Sequence, residues 1–323
     1  MNRSACLIFN PVAGNGDPEQ DLAQICSILE PQIDLDIYFT TAEIDADQLA
    51  HEAVGRGVDA IIASGGDGTL SAAAAAVVGS NIPFGIISRG TANAFATALG
   101  IPDTIAGACQ VILQGNTRVV DAANCNGHPM VLLAGIGFEA ETVERADREA
   151  KNRLGVLAYI LAGLQQLRSF ETFEVEIETE DRTIKSTAAA VTVANAAPAT
   201  SVFAQGPAGI IVDDGLLDLT IVAPANKAAA IAATFHLFQT ASTGNAADRD
   251  DIGYLRAKQF KITTNPPQKI VVDGEILGAT PVEIHCIPGG LNIFVPLTEE
   301  VEPVEKLNRL PNVVIEDKRS KLL

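Results

Sequence analysis

Positive charge is scarce in this chain: 22 Lys and Arg stand against 40 Asp and Glu over 323 residues, a formal net charge of −18. Such a chain repels nucleic acid and anionic bilayers except through a local basic patch, which excludes nucleic acid as a partner. Cysteine is sparse as well. Cys6, Cys26, Cys109, Cys125 and Cys286 are odd in number and never in C-x-x-C spacing. That excludes a disulfide framework and a cysteine zinc site, and fits a reducing cytosol. His51, His128, His236 and His285 stand apart, which argues against a histidine metal centre. No apolar run reaches the ~18 residues of a membrane span. Met1–Asn10 lacks the apolar length and cleavage site of a secretory signal. The expectation is a cytoplasmic globular protein, at most peripheral to a membrane.

Hydrophobic residues make up 47% of the chain, enough for real cores, and the length predicts two domains. The first hundred residues alternate short apolar runs with helical patterns. Strands are expected at Cys6–Phe9, Leu35–Phe39, Val58–Ala63 and Phe84–Ile87. Helices are expected at Leu22–Leu29, Ala46–Val54, Thr69–Val78 and Ala92–Leu99. This alternation implies βαβ units and a doubly wound, mostly parallel α/β sheet. After about residue 120 the pattern becomes strand-rich, with strands expected at Val119–Ala123, Pro129–Leu133, Phe173–Glu178, Thr187–Ala194 and Leu216–Val222. Lys269–Asp273, Val282–Cys286 and Leu291–Val295 read the same way, and helices are expected near Arg153–Leu167 and Lys227–Phe238. That pattern suggests an antiparallel β-sandwich or barrel. The expected division is an α/β domain over 1–123, a β-sandwich domain over 124–296 with a ligand cleft between them, and an unassigned charged tail over 297–323.

Ser64-Gly65-Gly66-Asp67-Gly68-Thr69 follows a hydrophobic run and opens a helical one. Glycines at a strand-to-helix junction let backbone N–H groups approach phosphate oxygens, and a helix N-terminus favours negative charge. An aspartate there suits a magnesium ion or an acceptor hydroxyl better than a bare anion cradle. Taken alone, the segment is equally a tight turn with Asp67 or Thr69 as a helix cap. Asn10-Pro11-Val12-Ala13-Gly14-Asn15-Gly16 follows the first strand and Gly90-Thr91-Ala92-Asn93 the fourth, so a pocket could gain three walls. The Asn10–Gly16 segment has neither the spacing of a dinucleotide fingerprint nor the Lys-Ser/Thr of a P-loop.

The ordered set N-P-x-x-G, G-G-D-G-T and G-T-x-N resembles the diacylglycerol kinase catalytic superfamily, which includes bacterial soluble lipid kinases and sphingosine kinases. The resemblance continues through Asp121, Gly135–Ala140, Leu154-Gly155 with Tyr159, Asp213–Asp218 and Asp273-Gly274-Glu275, to about Pro296. Any one motif is weak; their order is the signal. It implies that ATP is bound by Asn10, Pro11, Val12, Ala13, Gly14, Thr41, Gly65, Gly66, Asp67, Gly68, Thr69, Leu70, Ser71 and Thr91, with Thr40 able to take the place of Thr41. It implies a magnesium site built from the Asp214 carboxylate and the carbonyls of Ile211 and Leu216. Glu275 resembles the family's proton acceptor, with Asp273 and Asp67 as rivals. Read without the family, Asp-Gly at both places is a hairpin signal, and Asp273 and Glu275 would be exposed acids. Ser88-Arg89 stands where many relatives have Pro-Leu, and Ala94 replaces an aspartate common in the bacterial enzymes.

The resemblance implies transfer of the γ-phosphoryl of Mg-ATP to a lipid hydroxyl, diacylglycerol or a related glycerolipid. A kinase of a soluble acceptor, such as an NAD kinase-like enzyme, also uses a G-G-D-G loop. A non-catalytic lipid- or nucleotide-binding protein is the other alternative. Arg145, Arg148, Lys151 and Arg153 form the densest basic cluster before the tail. They are interleaved with acids in a pattern suited to ion pairs or to transient contact with anionic headgroups.

Overall fold

The computed structural model describes residues 3–14, 16–137, 172–198, 201, 210–243 and 249–297. The expected helix near Arg153–Leu167, the basic cluster Arg145–Arg153, the motif residues 138–140, Leu154, Gly155 and Tyr159, and the tail beyond 297 lie outside these residues.

The chain begins as β1 (Arg3–Phe9), α1 (Pro18–Leu29), β2 (Ile33–Phe39), α2 (Ala46–Arg56), β3 (Ala60–Gly65), α3 (Asp67–Val77), β4 (Phe84–Ser88), α4 (Ala94–Ala98) and α5 (Ile105–Gln114). β1 pairs in parallel with β2 and β3, and β3 with β4, giving the order β2-β1-β3-β4. α2 packs on α3, and α1 packs on α5. β1, β3 and β4 are almost wholly buried, which explains why they read as continuous apolar runs rather than alternating ones. Sequence patterning located every one of these elements except α5. Gly107 interrupts that helix's apolar run; a Cβ there would stand 2.6 Å from Pro102 Cβ, so close packing demands the helix-weakening residue.

The rest is strand-rich: β5 (Thr117–Cys125), β6 (His128–Met130), β7 (Leu133–Gly137), β8 (Phe173–Glu178), β9 (Thr183–Ala188), β10 (Ala190–Ala194) and β11 (Leu217–Val222). Then come α6 (Lys227–Thr243), β12 (Ile252–Ala257), β13 (Gln259–Asn265), β14 (Lys269–Val272), β15 (Glu275–Ala279) and β16 (Val282–Phe294). β12-β11-β10-β7-β14-β15 form an antiparallel six-stranded sheet. It faces the antiparallel strands β5, β8, β13 and β16 across one apolar core that includes Ile136, Val191, Leu219, Val175, Phe260 and Ile284. The second part of the chain is therefore a β-sandwich.

Several expected strands change shape. Thr187–Ala194 divides at Ala189, because β9 pairs with β8 in one sheet while β10 lies between β7 and β11 in the other. Pro129–Leu133 divides between β6 and β7. Val282–Cys286 and Leu291–Val295 merge into the single strand β16, whose pairing with β5 shifts register between Ile287 and Leu291. β12, β13 and β15 were not anticipated, although β13 alternates exposed and buried residues throughout.

β16 joins the two halves. It pairs antiparallel with β13 and β5, and Ile293 pairs in parallel with Phe84 of β4, so one ten-stranded sheet runs through both architectures. Ile293 is fully buried in the core of the α/β half. Ile293→Ala should destabilise the protein by roughly 2–5 kcal/mol, the usual cost of truncating a buried aliphatic side chain. Urea unfolding should show one cooperative transition shifted to lower denaturant; loss of the α/β half alone would contradict a shared sheet.

Candidate functional site

The C-terminal ends of β1, β3 and β4 release their loops side by side, the position at which a doubly wound sheet receives ligands. Asn10 welds the first two. Its N–H donates to Ser64 O at 2.9 Å, and its Nδ2 donates to Thr69 Oγ1 at 2.7 Å. Arg89 N–H donates to Gly65 O at 2.7 Å and ties in the third. A Cβ on Gly90 would stand 3.0 Å from Gly66 Cα, and a Cβ on Gly65 would stand 2.7 Å from Thr69 Cβ. A side chain at Gly90 would press the β3 and β4 loops apart, and one at Gly65 would collide with Thr69 in its own turn. Gly66 caps α3, whose first residue is Asp67, so unpaired N–H groups open onto the junction.

A cavity of about 670 Å³ lies over this junction. From the α/β half it is lined by Asn10, Val12, Thr41, Gly68, Thr69 and Ser71, among others; from the sandwich half it is lined by His128, Pro129, Asp273, Glu275 and their neighbours. Thr40 lines it as well as Thr41. Thr41 Oγ1 accepts the N–H groups of Glu43 and Ile44 at 3.1 Å, so its hydroxyl also holds the 41–44 turn. Pro11, Ala13, Gly14, Gly65, Gly66, Asp67 and Thr91 do not line the cavity. The Leu70 side chain is fully buried in the core, which leaves no side-chain surface for a ligand. His128, Asp45 and Asp47 also line the cavity. They escaped the sequence reading because they lie outside the glycine motifs.

The three candidate acids have different surroundings. Asp67 accepts from Phe95 N–H at 3.3 Å, which holds the start of α4. Burial raises its pKa, an effect opposed by the N–H groups of Phe95, Ala94 and Asn93. Asp273 accepts N–H bonds from Val131 at 2.8 Å and from Leu132 and Leu133 at 2.9 Å. It is therefore no exposed hairpin acid: its carboxylate terminates β7. Burial pushes its pKa up to about 6, against the lowering effect of those three N–H groups. Asp273 and Gly274 both have positive φ, 49° and 92°, and form the tight turn between β14 and β15. Glu275 follows on the cavity wall and is exposed.

The Asp213–Leu217 turn does not line the cavity. Asp121 Oδ2 accepts from Gly215 N–H at 2.7 Å, and its Oδ1 from Gly289 N–H at 2.8 Å. Asp214 Oδ1 accepts from Leu216 N–H at 3.1 Å, while its Oδ2 is ion-paired with Arg256 Nη2. Arg256 Nε also donates to Asp218 Oδ1 at 3.0 Å, and Tyr254 donates its hydroxyl to the same oxygen. Asp213 pairs separately with Arg118. The donor set implied for magnesium here, Asp214 with the carbonyls of Ile211 and Leu216, does not fit a divalent ion as it stands. A guanidinium already supplies the charge. Neither Arg256 nor Tyr254 was singled out from sequence, and only the β11–β12 pairing, which sets Asp218 opposite Arg256 and Thr220 opposite Tyr254, brings them to the turn.

Two matches cover this architecture in order. Residues 4–125 match the diacylglycerol kinase catalytic domain, and residues 133–295 match the YegS C-terminal NAD kinase beta sandwich-like domain. The chain belongs to the bacterial diacylglycerol kinase and YegS-like lipid kinase family. It is 53% identical to an uncharacterized protein of Synechocystis sp. over 90% of this chain and 70% of that one. It is 30% identical to the diacylglycerol kinase of Bacillus subtilis over 91% of this chain and 97% of that one. A crystal structure of a diacylglycerol kinase from Bacillus anthracis str. Sterne superposes with a TM-score of 0.72 at 26% identity, covering 91% of this chain and 97% of that one. Family membership carries ATP-dependent lipid kinase chemistry as the class. Among the described residues, no helix is long and apolar enough to cross a membrane.

Two measurements check these carboxylates. A carboxyl whose pKa is higher folded than unfolded contributes stability that is full below the unfolded value, near 4, and lost as pH rises through about 6. The stability of wild type relative to Asp273→Asn should therefore improve as pH falls from 7 to 4; a pH-independent difference in denaturant midpoint would contradict this. At the other turn, Arg256→Met should cost roughly 3 kcal/mol by leaving buried Asp218 unpaired. Added Mg²⁺ without nucleotide should leave wild-type thermal stability unchanged, and a Mg²⁺-dependent rise would mean that the ion displaces Arg256.

Proposed function

We propose that this protein transfers the γ-phosphoryl group of ATP to a hydroxyl of diacylglycerol or a related glycerolipid. One observation carries the reading: a single cavity brings Asn10, Gly68 and Thr69 from the strand-end loops together with Glu275 from the sandwich half. The loops and the N-terminus of α3 receive the nucleotide phosphates, and the hydroxyl meets them from the Glu275 side. Domain 1–123 then supplies the nucleotide site and 124–296 the acceptor site, with the cleft between them.

Phosphoryl transfer depends on positioning and charge neutralisation more than on base strength. Asp67 is the carboxylate suited to a magnesium ion brought in with the nucleotide, because it is partly buried beside the phosphate-facing loop and has no ion pair among the described residues. Such an ion would neutralise charge on the phosphoryl oxygens. The lipid oxygen bonds to the γ-phosphorus as the bond to the β–γ bridging oxygen breaks and ADP leaves. Glu275 takes the hydroxyl proton. Asp273 is a poor rival, since three backbone N–H groups already engage it and its work is to fix the hairpin that carries Glu275. The reaction belongs at the cytoplasmic face of a bilayer, with transient lipid contact.

Glu275→Gln should lower kcat by roughly 10²–10⁴-fold, the range for loss of a general base, with the KM for ATP nearly unchanged. The assay uses labelled ATP, Mg²⁺ and diacylglycerol, phosphatidylglycerol, ceramide and sphingoid bases, with NAD as the soluble acceptor. A near wild-type rate in Glu275→Gln would move the base role to Asp67. Phosphorylation of NAD alone would replace the lipid reading with that of a soluble-acceptor kinase.

A further inference from the structure

Arg89 belongs to the loop after β4 and does not line the cavity, yet its side chain is only 3% exposed. Its Nε pairs with Asp21 Oδ2 on α1 at 2.8 Å, and its Nη1 donates to Asn10 O at 2.9 Å. The guanidinium carbon stands 4.3 Å from the centre of the Phe9 ring. Nη2 is buried without a hydrogen-bond partner among the described residues. Burying a guanidinium with an unused donor is unfavourable unless something else fixes its position. The position of the guanidinium is set by Asp21, Asn10 and the Phe9 ring.

Both of those partners bracket one loop. Asn10 opens the β1–α1 loop, and the Asp21 carboxylate stands 3.5 Å from the place a Cβ on Gly16 would occupy near the loop's other end. Between them Gly14, at φ +86°, passes so close that a Cβ would stand 2.7 Å from Arg89 O. Asn10 in turn uses every polar group it has. Its carbonyl takes Arg89, its N–H goes to Ser64 O, its Oδ1 takes Val12 N–H at 3.1 Å, and its Nδ2 goes to Thr69 Oγ1. Hydrogen bonds thus connect the guanidinium through Asn10 to Thr69, on the wall of the cavity.

We propose that Arg89, oriented by Asp21, is a positioning residue for the nucleotide: it clamps the β1–α1 loop and, through Asn10, sets the spacing between that loop and the Gly68–Thr69 turn. The proposal rests on the nucleotide site proposed above. Arg89 does not line the cavity, so its signature is a split in the kinetics. The KM for ATP rises while kcat at saturating ATP and the KM for lipid change little.

Calorimetric titration of wild type, Arg89→Met, Arg89→Lys and Asp21→Asn with ATP and Mg²⁺, beside thermal unfolding of each, tests it. Arg89→Met should weaken ATP binding by roughly 10-fold, about 1.4 kcal/mol of binding free energy. Arg89→Lys, which can serve Asp21 or Asn10 but lacks the fork to serve both, should recover part of the affinity. Asp21→Asn should fall between wild type and Arg89→Met. A folded Arg89→Met variant with wild-type ATP affinity would overturn the proposal and leave Arg89 as packing. Should Arg89→Met not fold, Asp21→Asn decides in the same way, since unchanged affinity there overturns the clamp. Failure of wild type to bind ATP would instead remove the nucleotide site itself.

Discussion

The structure depends on a contact between two pieces of backbone. The loops leaving β3 and β4 approach until Gly66 and Gly90 nearly touch, with no room for a side chain on Gly90. Everything at the junction follows from this closeness. α3 can start immediately after β3, its first N–H groups have no capping side chain at Gly66, and Asp67 reaches across to hold the start of α4. The β1 loop is then drawn in through Asn10. Glycine is required here for space as much as for conformation.

Charge is distributed in an unusual way around that junction. The cavity wall carries Asp45, Asp47, Asp273 and Glu275 and no lysine or arginine among the described residues. On the proposed reading, a polyphosphate in this cavity would be compensated by backbone N–H groups, the N-terminus of α3 and a divalent ion carried with the nucleotide. The arginines are spent elsewhere. Arg89 lies buried against the β1–α1 loop, and Arg256 neutralises the carboxylates of Asp214 and Asp218. In the sandwich half a buried polar path starts at the Asp214 turn. It runs through Asp121, whose carbonyl takes Asn195 Nδ2, to Val131, whose carbonyl takes the same group and whose N–H reaches Asp273. The hairpin of Glu275 hangs on that path.

The α/β half was legible because β1, β3 and β4 are buried on both faces, so burial and sequence say the same thing over Cys6–Phe9, Ile61–Ala63 and Phe84–Ile87. The glycine loops were legible because close approach leaves only one residue type. The sandwich was read correctly in class but poorly in connection. Nothing local in Thr187–Ala194 signals that the chain leaves one sheet at Ala189, and nothing local in Ile293 signals a partner as distant as Phe84. The same limit applies to the site. Asp273 and Glu275 looked alike as neighbours of Gly274. Both line the cavity, but only the fold brings Val131, Leu132 and Leu133 onto Asp273 and leaves the Glu275 carboxylate exposed. Arg89 was visible as a departure from the family pattern, but its role required Asp21 and Asn10 in place.

The central claim is that the three strand-end loops act as one nucleotide-receiving unit. Amide hydrogen exchange with and without ATP and Mg²⁺ tests it most directly. The account predicts slowed exchange in the peptides spanning 8–16, 64–71 and 88–93 together, with β11 and β12 unaffected. Nucleotide binding accompanied by protection in only one of those peptides, or in none of them, would contradict it.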